Sequence, residues 1–559
     1  MAPLFRRLLL LTTTLALTGC STSSPPSTGD AGSDVPVDSG SSSDPDAGAP
    51  DAGTDTVPWD GGAEALPERT DHVDLGPFSD CAFKLAVGDA VTACDDASLF
   101  DRSTCPAGAF DDLDSTGFYY LDARPSTGSS ALSGYLLRLP LEGGPGTLSS
   151  RPLTRQEVGA GSFFTASTLP ATRFSPARDL VFMGCTRPTP DRINGCYAQC
   201  SQGKVGLVGT FTAARPGIRA RGEAESSGLT LVSESSVPLG MPVDVYVTKG
   251  HAYVVSIGVL VGTVGKPGGL SVLDVRDPSH PVLTKTIQVP GDTYWNGVWA
   301  KDDALYIASA SSGVIVYDIS SPADPRYVRA VPNDPLDVHT VFVKGDRLYA
   351  MAPSPGDAVL ILDVSSPLAP VELNRVSLGV GGSGPHDAFV YEDRLYVSYT
   401  EAGYQAFDVT DAEHVQPLGG YFFDGQYAHA SAVGTFAGRT LAFEGGEYAG
   451  SHLRVLDVTD PANMKLIGEY GLRQETSIHN MILQGTKLYV AYYQEGVRVL
   501  DVSFPPKPRE VAYFNTFRET DPGRTGSTFE GAIGIRVPGD GFIYVVDTSR
   551  GLLVLSEQP

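Results

Sequence analysis

Short runs in which apolar and polar residues alternate recur throughout the C-terminal part of the chain. One of these runs returns six times with an aspartate near its end, for example in GLSVLDV, GVIVYDI and AVLILDV. Alternation with a period of two is typical of β-strands and not of helices. The shared aspartates, 44, 45, 45, 49 and 44 residues apart, are Asp274, Asp318, Asp363, Asp408, Asp457 and Asp501. Strand repeats with a period in the forties predict a β-propeller.

Each repeat divides into four strands, and the number of repeats predicts the number of blades. The centres of the second strands are Tyr253, Tyr306, Tyr349, Tyr396, Leu441, Tyr489 and Tyr544. The last repeat ends with its third strand, GLLVLSE, and the run GLTLVSESSVPLG before the first repeat is expected to supply the missing strand and close the ring. The sequence therefore predicts an all-β protein with a seven-bladed propeller over residues 229–559.

The repeated unit resembles the LVIVD repeat of bacterial and archaeal surface proteins, which is named after this strand sequence. The resemblance extends over roughly residues 241–557. The last part of the chain, from SIHNMILQGTKLYV to GLLVLSE, also resembles the C-terminus of choice-of-anchor-B surface proteins. Both resemblances imply a β-propeller at the cell surface, and neither implies a catalytic residue.

Residues 1–20 are predicted to be an export signal, because MAPLFRR supplies positive charge and LLLLTTTLALTGC a short apolar stretch. The stretch is too short to span a bilayer as a helix. Its last four residues, LTGC, resemble the lipobox of bacterial lipoproteins, whose cysteine becomes acylated. The resemblance implies a lipid anchor with palmitate-like chains on Cys20 and, from Ser21, sorting to the outer membrane. The alternative is an ordinary secretory signal with an incidental cysteine.

Residues 21–75 consist almost entirely of Ser, Gly, Pro, Asp and Ala and offer little apolar surface to bury. This composition predicts a disordered linker. Calcium binding by its Asp-Ala-Gly repeats is a less favoured alternative.

Residues 76–228 lack the repeat and contain six cysteines. These are Cys81, Cys94, Cys105, Cys185, Cys196 and Cys200. An even number of cysteines in an exported chain favours disulfides, although the pairing stays open. A zinc site formed by the last three is the alternative, and the lack of a nearby histidine disfavours it.

Four of the nine histidines occupy equivalent positions at the start of the inner strand in consecutive repeats: His339, His386, His429 and His479. Equivalent positions in a propeller surround the central channel, so these imidazoles are candidates for binding a divalent transition-metal ion. Glu530 is the expected carboxylate partner from the seventh repeat. In the alternative, which the sequence favours, the histidines only form hydrogen bonds between neighbouring blades.

Other candidate binding residues at the channel mouth are Asp244, Trp295, Asn296, Trp299, Asp387 and Asn480. The two aspartates and Asn480 form a second column that is expected to orient metal ligands. The tryptophans are candidates for a ligand pocket, although such residues more often pack in a core. The segment EGGEYAGSHL lengthens the fifth repeat and is expected to form a partner-binding loop.

The sequence contains no familiar hydrolase, zinc-protease or phosphate-loop motif. A formal net charge of −25 disfavours nucleic acid as a partner. The leading hypothesis is a monomeric, lipid-anchored outer-membrane protein whose propeller is a non-catalytic binding or scaffolding platform for an envelope protein or polysaccharide. The alternatives are a metal-dependent oxidoreductase or hydrolase that uses the histidine column, and a purely structural envelope component.

Overall fold

The structure is a computed structural model that describes residues 58–558, apart from residues 70, 72–75, 127–132, 142, 160, 174, 220, 262–263, 355, 378–383, 424, 426 and 449. The predicted export signal, Cys20 and most of the predicted linker lie outside the described residues. Regular structure within them is β-structure, apart from two 3-10 turns at Ala97–Leu99 and Pro461–Asn463. None of the described helices is long and apolar enough to cross a membrane.

The cysteine-rich segment forms a closed eight-stranded antiparallel barrel, preceded by the paired short strands β1 (Ala82–Phe83) and β2 (Phe100–Asp101). The barrel strands are β3 (Gly117–Pro125), β4 (Ser133–Leu139), β5 (Thr147–Leu148), β6 (Arg151–Gly159), β7 (Ser162–Leu169), β8 (Arg178–Thr189), β9 (Arg192–Ser201) and β10 (Lys204–Ala214). Because β10 pairs with β3, the barrel has no open edge. Its interior is filled by aromatic side chains such as Phe163, Phe182 and Phe211.

The six cysteines form three disulfides, Cys81–Cys196, Cys94–Cys200 and Cys105–Cys185. This pairing confirms the predicted disulfides and shows that the alternative zinc site is wrong. Each bond joins the segment before the barrel to β8 or β9, across sequence separations of 115, 106 and 80 residues. Cross-links that close such long loops restrict the unfolded chain strongly.

Seven sheets form the blades of the propeller, as predicted; six have four strands, and the sheet of blade 6 has a short fifth strand. Two strands precede the first blade: β11 (Ser226–Ser227) and β12 (Leu229–Ser235). Blades 1 to 3 consist of β13 (Met241–Thr248), β14 (His251–Ile257), β17 (Gly269–Asp274) and β18 (Val282–Ile287), then β19 (Trp295–Lys301), β20 (Ala304–Ser309), β21 (Gly313–Asp318) and β22 (Arg326–Val331), then β23 (Thr340–Lys344), β24 (Arg347–Ala352), β25 (Ala358–Asp363) and β26 (Val371–Ser377). A separate hairpin of β15 (Val259–Val261) and β16 (Val264–Lys266) interrupts blade 1.

The remaining blades continue the pattern in chain order. Blades 4 and 5 consist of β27 (Asp387–Tyr391), β28 (Arg394–Ser398), β29 (Tyr404–Asp408) and β30 (Gln416–Tyr421), then β31 (Ala428–Phe436), β32 (Arg439–Gly446), β33 (Leu453–Asp457) and β34 (Lys465–Tyr470). Blades 6 and 7 consist of β35 (Met481–Gln484), β36 (Lys487–Ala491), β37 (Val497–Asp501) and β38 (Arg509–Phe514), then β39 (Ala532–Arg536), β40 (Ile543–Asp547) and β41 (Gly551–Glu557) with β12.

The strand before the first blade closes the ring. β12 pairs antiparallel with β41, with Leu231 opposite Leu555 and Ser235 opposite Leu552. Blade 7 is therefore built from both ends of the propeller sequence, as the missing fourth strand predicted. The neighbouring β11 pairs with β38 on the outside of blade 6.

Both faces of a blade are apolar because each face packs against a neighbouring blade. In the second strand of blade 2, Leu305 and Ile307 belong to a core shared with blade 1. Tyr306, which points the other way, belongs to a core shared with blade 3. All three side chains are inaccessible to solvent, so a single blade could not be stable alone.

The aspartate that marks each repeat ends the third strand and starts a turn. Asp318 accepts a hydrogen bond from the backbone N–H of Ser320 at 2.8 Å, and Asp363 accepts one from Ser365 at 2.7 Å. A short side chain that bonds to the backbone two residues later is a common turn device. The repeated aspartate therefore has a structural role.

Ion pairs hold the barrel against the loops of blades 6 and 7. Arg215, after β10, lies 2.8 Å from Glu519, and both side chains are only 8% exposed. Arg192 in β9 donates two hydrogen bonds of 2.7 and 3.0 Å to Glu475. The two glutamates precede the inner strands of blades 7 and 6, so the barrel lies at the end of the propeller where inner strands begin.

Residues 58–69 and Asp71, here called the N-terminal strap, correct the predicted extent of the disordered linker. Trp59 is buried in a core cluster with residues of blades 5 and 6. The backbone N–H of Leu66 donates to the carbonyl of Leu466 in β34 at 2.8 Å. The strap differs from the rest of the linker because it contains large apolar side chains that can be buried.

The strap also neutralises a buried cation of blade 5. Arg454 in β33 has a fully buried side chain and donates two 3.0 Å hydrogen bonds to Glu68. Asp71 lies 2.7 Å from the same guanidinium. Glu444 in β32 lies 3.9 Å from Arg454, and neither of its oxygens accepts a hydrogen bond from a described residue. Burial, with the carboxylates of Asp71 and Glu68, raises the pKa of Glu444 to about 8.

Replacing Glu444 with Gln is expected to stabilise the protein at about pH 8 but much less at about pH 5. The unfolded chain releases the proton of Glu444 near its ordinary pKa of 4.5, whereas the folded protein holds it until about pH 8. The parent protein therefore loses stability as the pH rises from about 4.5 to about 8, whereas the variant, whose amide does not titrate, keeps its stability. Urea unfolding of both proteins across the window measures the difference.

The control is Glu413→Gln, which removes an exposed carboxylate and should give no pH-dependent difference. A Glu444→Gln effect of the same size at every pH would contradict the assignment of a neutral, buried carboxyl group.

Candidate functional site

The four histidines of the predicted column lie where the inner strands of blades 3 to 6 begin. In blades 3, 4 and 6 the backbone N–H groups of His339, His386 and His479 donate to carbonyls of the second strand at 2.8, 2.9 and 2.9 Å. His429 is the bulged residue of β31 in blade 5. Strand pairing thus fixes all four backbones at one height of the channel.

The four imidazole rings contact one another in sequence around the channel. Ring centroids are 4.1 Å apart for His339 and His386, 4.1 Å for His386 and His429, and 4.3 Å for His429 and His479. Repeat geometry alone explains this convergence, because each blade presents the same position to the axis. The four histidines that the sequence placed in one column do lie together.

One carboxylate faces three of these rings. Oε2 of Glu447 lies 3.7 Å from Nε2 of His386 and 3.6 Å from Nε2 of His429, and its Oε1 lies 3.6 Å from Nε2 of His479. Glu447 follows β32, in the segment EGGEYAGSHL that makes blade 5 longer than the others. The insertion noted in the sequence therefore supplies an acidic group to the channel.

Glu530, the predicted carboxylate partner, has a different role. Its side chain accepts hydrogen bonds from Thr525, through the backbone at 2.7 Å and the hydroxyl at 2.8 Å, and from the backbone N–H of Gly526 at 3.2 Å. The inner strand of blade 7 is bulged at Ile533, which therefore occupies the position of the histidines. The sequence prediction assumed a longer turn before the second strand of blade 7. It therefore chose Glu530, three residues before the position that Ile533 occupies.

Hydrogen bonds orient two of the imidazoles and the carboxylate. Nδ1 of His479 lies 2.8 Å from the carbonyl of Ile533 and must donate to it, so Nε2 keeps its lone pair. Nε2 of His339 lies 3.0 Å from the side-chain amide of Asn296, so this nitrogen is already paired. The hydroxyl of Tyr493 donates to Oε1 of Glu447 at 2.6 Å. With Nε2 of His339 paired in this way, the Nε2 atoms that face Glu447 are those of His386, His429 and His479.

Burial keeps the imidazoles neutral. It lowers the pKa of His339 to about 4 and that of His479 to about 3. Burial and the neighbouring imidazoles hold the pKa values of His386 and His429 well below 6.5. Burial also raises the pKa of Glu447 to about 7. Neutral imidazole is the form that ligates metal ions.

The cluster contains buried nitrogen atoms without protein partners. Neither ring nitrogen of His429 makes a hydrogen bond of normal geometry with a described residue, and the same is true of Nδ1 of His386. The side chain of His429 is 1% exposed. An unsatisfied buried polar group costs about 1–3 kcal/mol, so the site is costly unless something else binds these atoms.

The distances fit a metal ion bound by His386, His429 and Glu447, with Nε2 of His479 beside the other oxygen of the same carboxylate. Metal–nitrogen and metal–oxygen bonds of about 2.0–2.2 Å place a nitrogen and an oxygen on one ion up to about 4 Å apart. The N···O distances of 3.6–3.7 Å fall within this limit. Among the described residues, the donor atoms of His386, His429 and Glu447 lie within 4.8 Å of one another.

The second predicted column lies next to the imidazoles. Asp244 accepts hydrogen bonds from the backbone N–H groups of Val245 at 2.8 Å and Val298 at 3.0 Å. Asp387 accepts one from its neighbour Ala388 at 2.9 Å. Burial is the main cause that raises the pKa of both aspartates, to about 7 for Asp387. None of these hydrogen bonds reaches the imidazoles, so the orientation of metal ligands by the two aspartates stays a prediction.

The tryptophans of the second blade differ from each other. Trp295 is fully buried in the core between blades and contacts Tyr317, which matches the more common structural role. Trp299 lies in the channel between Tyr246, with centroids 5.4 Å apart, and Phe342, at 4.7 Å. The guanidinium of Arg536 lies 4.3 Å from the ring of Trp299. Aromatic rings and one arginine therefore form a second layer in the channel.

A cavity of about 90 Å³ lies between the imidazole layer and this aromatic layer. Its polar lining includes His386, His429, His479, Asp387, Asn480 and Arg536. Asp244, Asn296 and Trp299 also line it, whereas Trp295 does not appear in its wall. The channel thus contains a histidine–carboxylate cluster and, beside it, a small polar space.

Comparison with known families identifies the repeated unit. The family model of the LVIVD repeat matches residues 263–289, 292–331 and 479–516. The chain carries LVIVD repeats. The matched segments span parts of blades 1, 2 and 6, and the last of them begins at His479. No curated protein matches the sequence significantly.

Three solved structures that match this chain have low sequence identity to it. The computationally designed Ika8 protein is 10% identical, with a TM-score of 0.39, and the match covers 70% of this chain and 95% of that chain. U3-55K is 8% identical, with a TM-score of 0.43 and coverage of 59% and 98%. A chain of the mitotic checkpoint complex is 11% identical, with a TM-score of 0.42 and coverage of 60% and 94%.

Sequence reasoning missed two residues of the cluster, Glu447 and Tyr493. Glu447 belongs to an insertion and has no equivalent in the other repeats. Tyr493 lies in the turn after β36, where its φ of 34° is in the left-handed region that bulky residues rarely adopt. The extra length of blade 5 was the available signal for Glu447, and the aromatic residue in a turn was a weak signal for Tyr493.

Replacing Tyr493 with Phe is expected to lower the free energy of unfolding by about 1–3 kcal/mol, because it removes a hydrogen bond to a buried carboxyl group. Chemical denaturation of the metal-free protein measures this loss. The matched control is Tyr391→Phe, which removes an exposed hydroxyl–hydroxyl contact of 2.7 Å with Thr435 and should change stability by less than about 0.5 kcal/mol. Equal effects of the two substitutions would contradict the buried contact between Tyr493 and Glu447.

Proposed function

We propose that the protein is an envelope β-propeller that binds a divalent transition-metal ion in its channel through His386, His429, His479 and Glu447. The observation that carries this proposal is the convergence of three Nε2 atoms on one partly buried carboxylate at 3.6–3.7 Å. His429 gives further support, because its buried ring nitrogens make no hydrogen bond of normal geometry with a described residue.

The donor set indicates the class of metal. Three imidazoles and one carboxylate favour zinc, copper, iron or nickel, whereas calcium and magnesium prefer oxygen ligands. The neutral imidazoles require no proton release before they bind a cation. His339 contacts the ring of His386 but pairs its Nε2 with Asn296, so we assign it a supporting position beside the metal ligands.

Binding within a rigid propeller also agrees with the broader role of a binding or scaffolding platform. Each blade is stable only against its neighbours, so the ligands are held by a closed framework and not by flexible loops. Catalysis by a metal-dependent oxidoreductase or hydrolase is the second candidate function, and the polar cavity beside the imidazoles is the observation that favours it.

We also propose that the protein is a lipoprotein of the outer membrane, attached through Cys20. The supporting features are the export signal, the lipobox-like LTGC and Ser21. The resemblance of the C-terminal region to choice-of-anchor-B proteins supports a position at the cell surface. An envelope protein or a polysaccharide is the proposed partner class for the exposed face, since the acidic chain disfavours nucleic acid.

Metal analysis tests the proposed site. The purified protein, loaded with Zn²⁺, Cu²⁺, Fe²⁺ or Ni²⁺ and then dialysed, is expected to retain about one equivalent of the preferred ion, because the donor atoms of His386, His429 and Glu447 lie within 4.8 Å of one another. Mass spectrometry of the metal content and the rise of the unfolding temperature on loading measure this. Glu447→Gln and His429→Ala should each reduce the retained metal at least about tenfold, in line with loss of a ligand.

The matched control is His414→Ala, because His414 is 75% exposed and pairs only with Asp411 on the surface in the contacts that the structure records for it. This variant should retain the ion. Circular dichroism of the near-isosteric Glu447→Gln variant separates loss of binding from loss of folding. Retention of no ion by the parent protein, or equal retention by all variants, would refute the proposed centre.

Substitution of Cys20 by Ser is expected to release the protein from the membrane fraction, because acyl chains supply most of the binding energy of a lipid anchor. Fractionation of cells that express the parent and the variant, with detection of the propeller, measures the change. Replacement of the neighbouring Thr18 by Ser preserves a lipobox-like sequence and is the control. Membrane attachment that survives Cys20→Ser would show that the cysteine is incidental.

A further inference from the structure

Most of the surface of the histidine–carboxylate cluster is covered by the protein. The side chains of His386, His429 and His479 are 11%, 1% and 11% exposed, and that of Glu447 is 16% exposed. Tyr493, which donates to Glu447, is completely buried. These side chains offer little surface to a macromolecule, so a partner that contacts an ion there is expected to be small.

The cavity lies on the other side of the imidazole layer. His386, His429 and His479 contribute to its wall, whereas Glu447 does not. An ion held between the three Nε2 atoms and Glu447 therefore has the carboxylate on one side and a space that adjoins the imidazoles on the other. Sites that act on small molecules characteristically keep an open coordination position of this kind, whereas purely structural sites are closed by protein ligands.

The volume of the cavity limits what can enter. About 90 Å³ is far below the 300–1,000 Å³ typical of sites for drug-sized ligands. The aromatic layer sets this limit, because Trp299 and Phe342 both line the cavity. At the corresponding position blade 6 has the smaller Ile482, which pairs with Tyr489 as Phe342 pairs with Tyr349.

The walls of the cavity offer hydrogen bonds to a bound molecule. Arg536 reaches the carbonyls of Val245 and Val298 only through long contacts of 3.2 and 3.4 Å. Asp387 and Asn480 also line the space. A molecule in the cavity would therefore meet both donors and acceptors, so polar groups suit it better than a purely apolar guest.

On these grounds, and resting on the proposed metal centre, we propose that the cavity is the binding site for a small diffusible polar molecule that coordinates the ion directly. Its class is a molecule much smaller than a drug-sized ligand, with a lone pair for the metal and a group that hydrogen-bonds to Asp387, Asn480 or Arg536. The larger partners proposed above then bind the exposed face of the propeller, separately from this channel site.

The test uses the full chain loaded with Cu²⁺ and two anions of different size as probes. Azide, a linear triatomic anion, is expected to bind and to produce a ligand-to-metal charge-transfer absorption. Benzoate, whose ring exceeds the cavity, is expected to produce no spectral change and not to compete with azide. The metal content of each sample is measured beforehand.

A cavity-filling variant locates the bound anion. Ile482→Phe introduces into blade 6 the residue that blades 3 and 4 already have at this position, and it should weaken azide binding at least about tenfold while copper is retained. Ile482→Val is the control of similar shape, and it should bind azide as the parent does. Ile482 has an apolar side chain and is not a proposed metal ligand, so its substitution leaves the four donor residues unchanged.

The outcomes separate the two proposals. Failure of the parent protein to hold copper would refute the metal centre and this site with it. Copper retention without any azide spectrum would leave the metal centre standing and overturn the small-molecule site. Equal binding of azide and benzoate, or unchanged azide affinity in a folded Ile482→Phe variant that holds copper, would also overturn it.

Discussion

The antiparallel pairing of β12 with β41 is the contact on which the rest of the propeller depends. Every blade has two apolar faces and can bury them only against two neighbours. An open row of seven blades would leave one face of the first and one face of the last exposed, together with an unpaired strand edge. Joining the two ends of the sequence within blade 7 removes both problems, as the pairing of Leu231 with Leu555 shows.

Ring closure also creates the candidate site. Positions that are 40–50 residues apart in the sequence become neighbours around one axis. A histidine lies near the start of the inner strand in each of blades 3 to 6, and successive rings lie 4.1–4.3 Å apart. A repeat alone, however, supplies only identical groups. The acidic component comes from Glu447 in an insertion, and its orientation comes from Tyr493 in a turn, so both departures from the repeat lie where the chemistry is expected.

Much of the fold could be predicted because repeats and alternation are properties of the sequence itself. The aspartate spacing identified the blades, and the missing fourth strand of the last repeat identified β12. The cysteine count predicted disulfides, but their pairing and the closed barrel depend on contacts between strands far apart in the chain. The strap was missed because Trp59 and Glu68 stand beside a low-complexity segment, and their partners in blades 5 and 6 are known only from the fold.

The candidate site was predictable only in part, for a related reason. Counting residues back from the second strand found His339, His386 and His479, since these blades share one register. The same count failed in blade 7, where a bulge at Ile533 shifts the register and moves Glu530 out of the column. Glu447 could not be found by comparing repeats, because it has no equivalent in them. Burial and hydrogen bonding at the channel, which decide whether imidazoles are neutral, become visible only in three dimensions.

The central claim is that ring closure brings His386, His429 and His479 around Glu447 to hold one metal ion. The most direct measurement is X-ray diffraction from crystals of the metal-loaded protein, with data collected on both sides of the absorption edge of the retained metal. The account predicts one strong anomalous difference peak between the three Nε2 atoms and Glu447. Absence of a peak there, with the same four side chains clearly resolved and a peak elsewhere or nowhere, would contradict it.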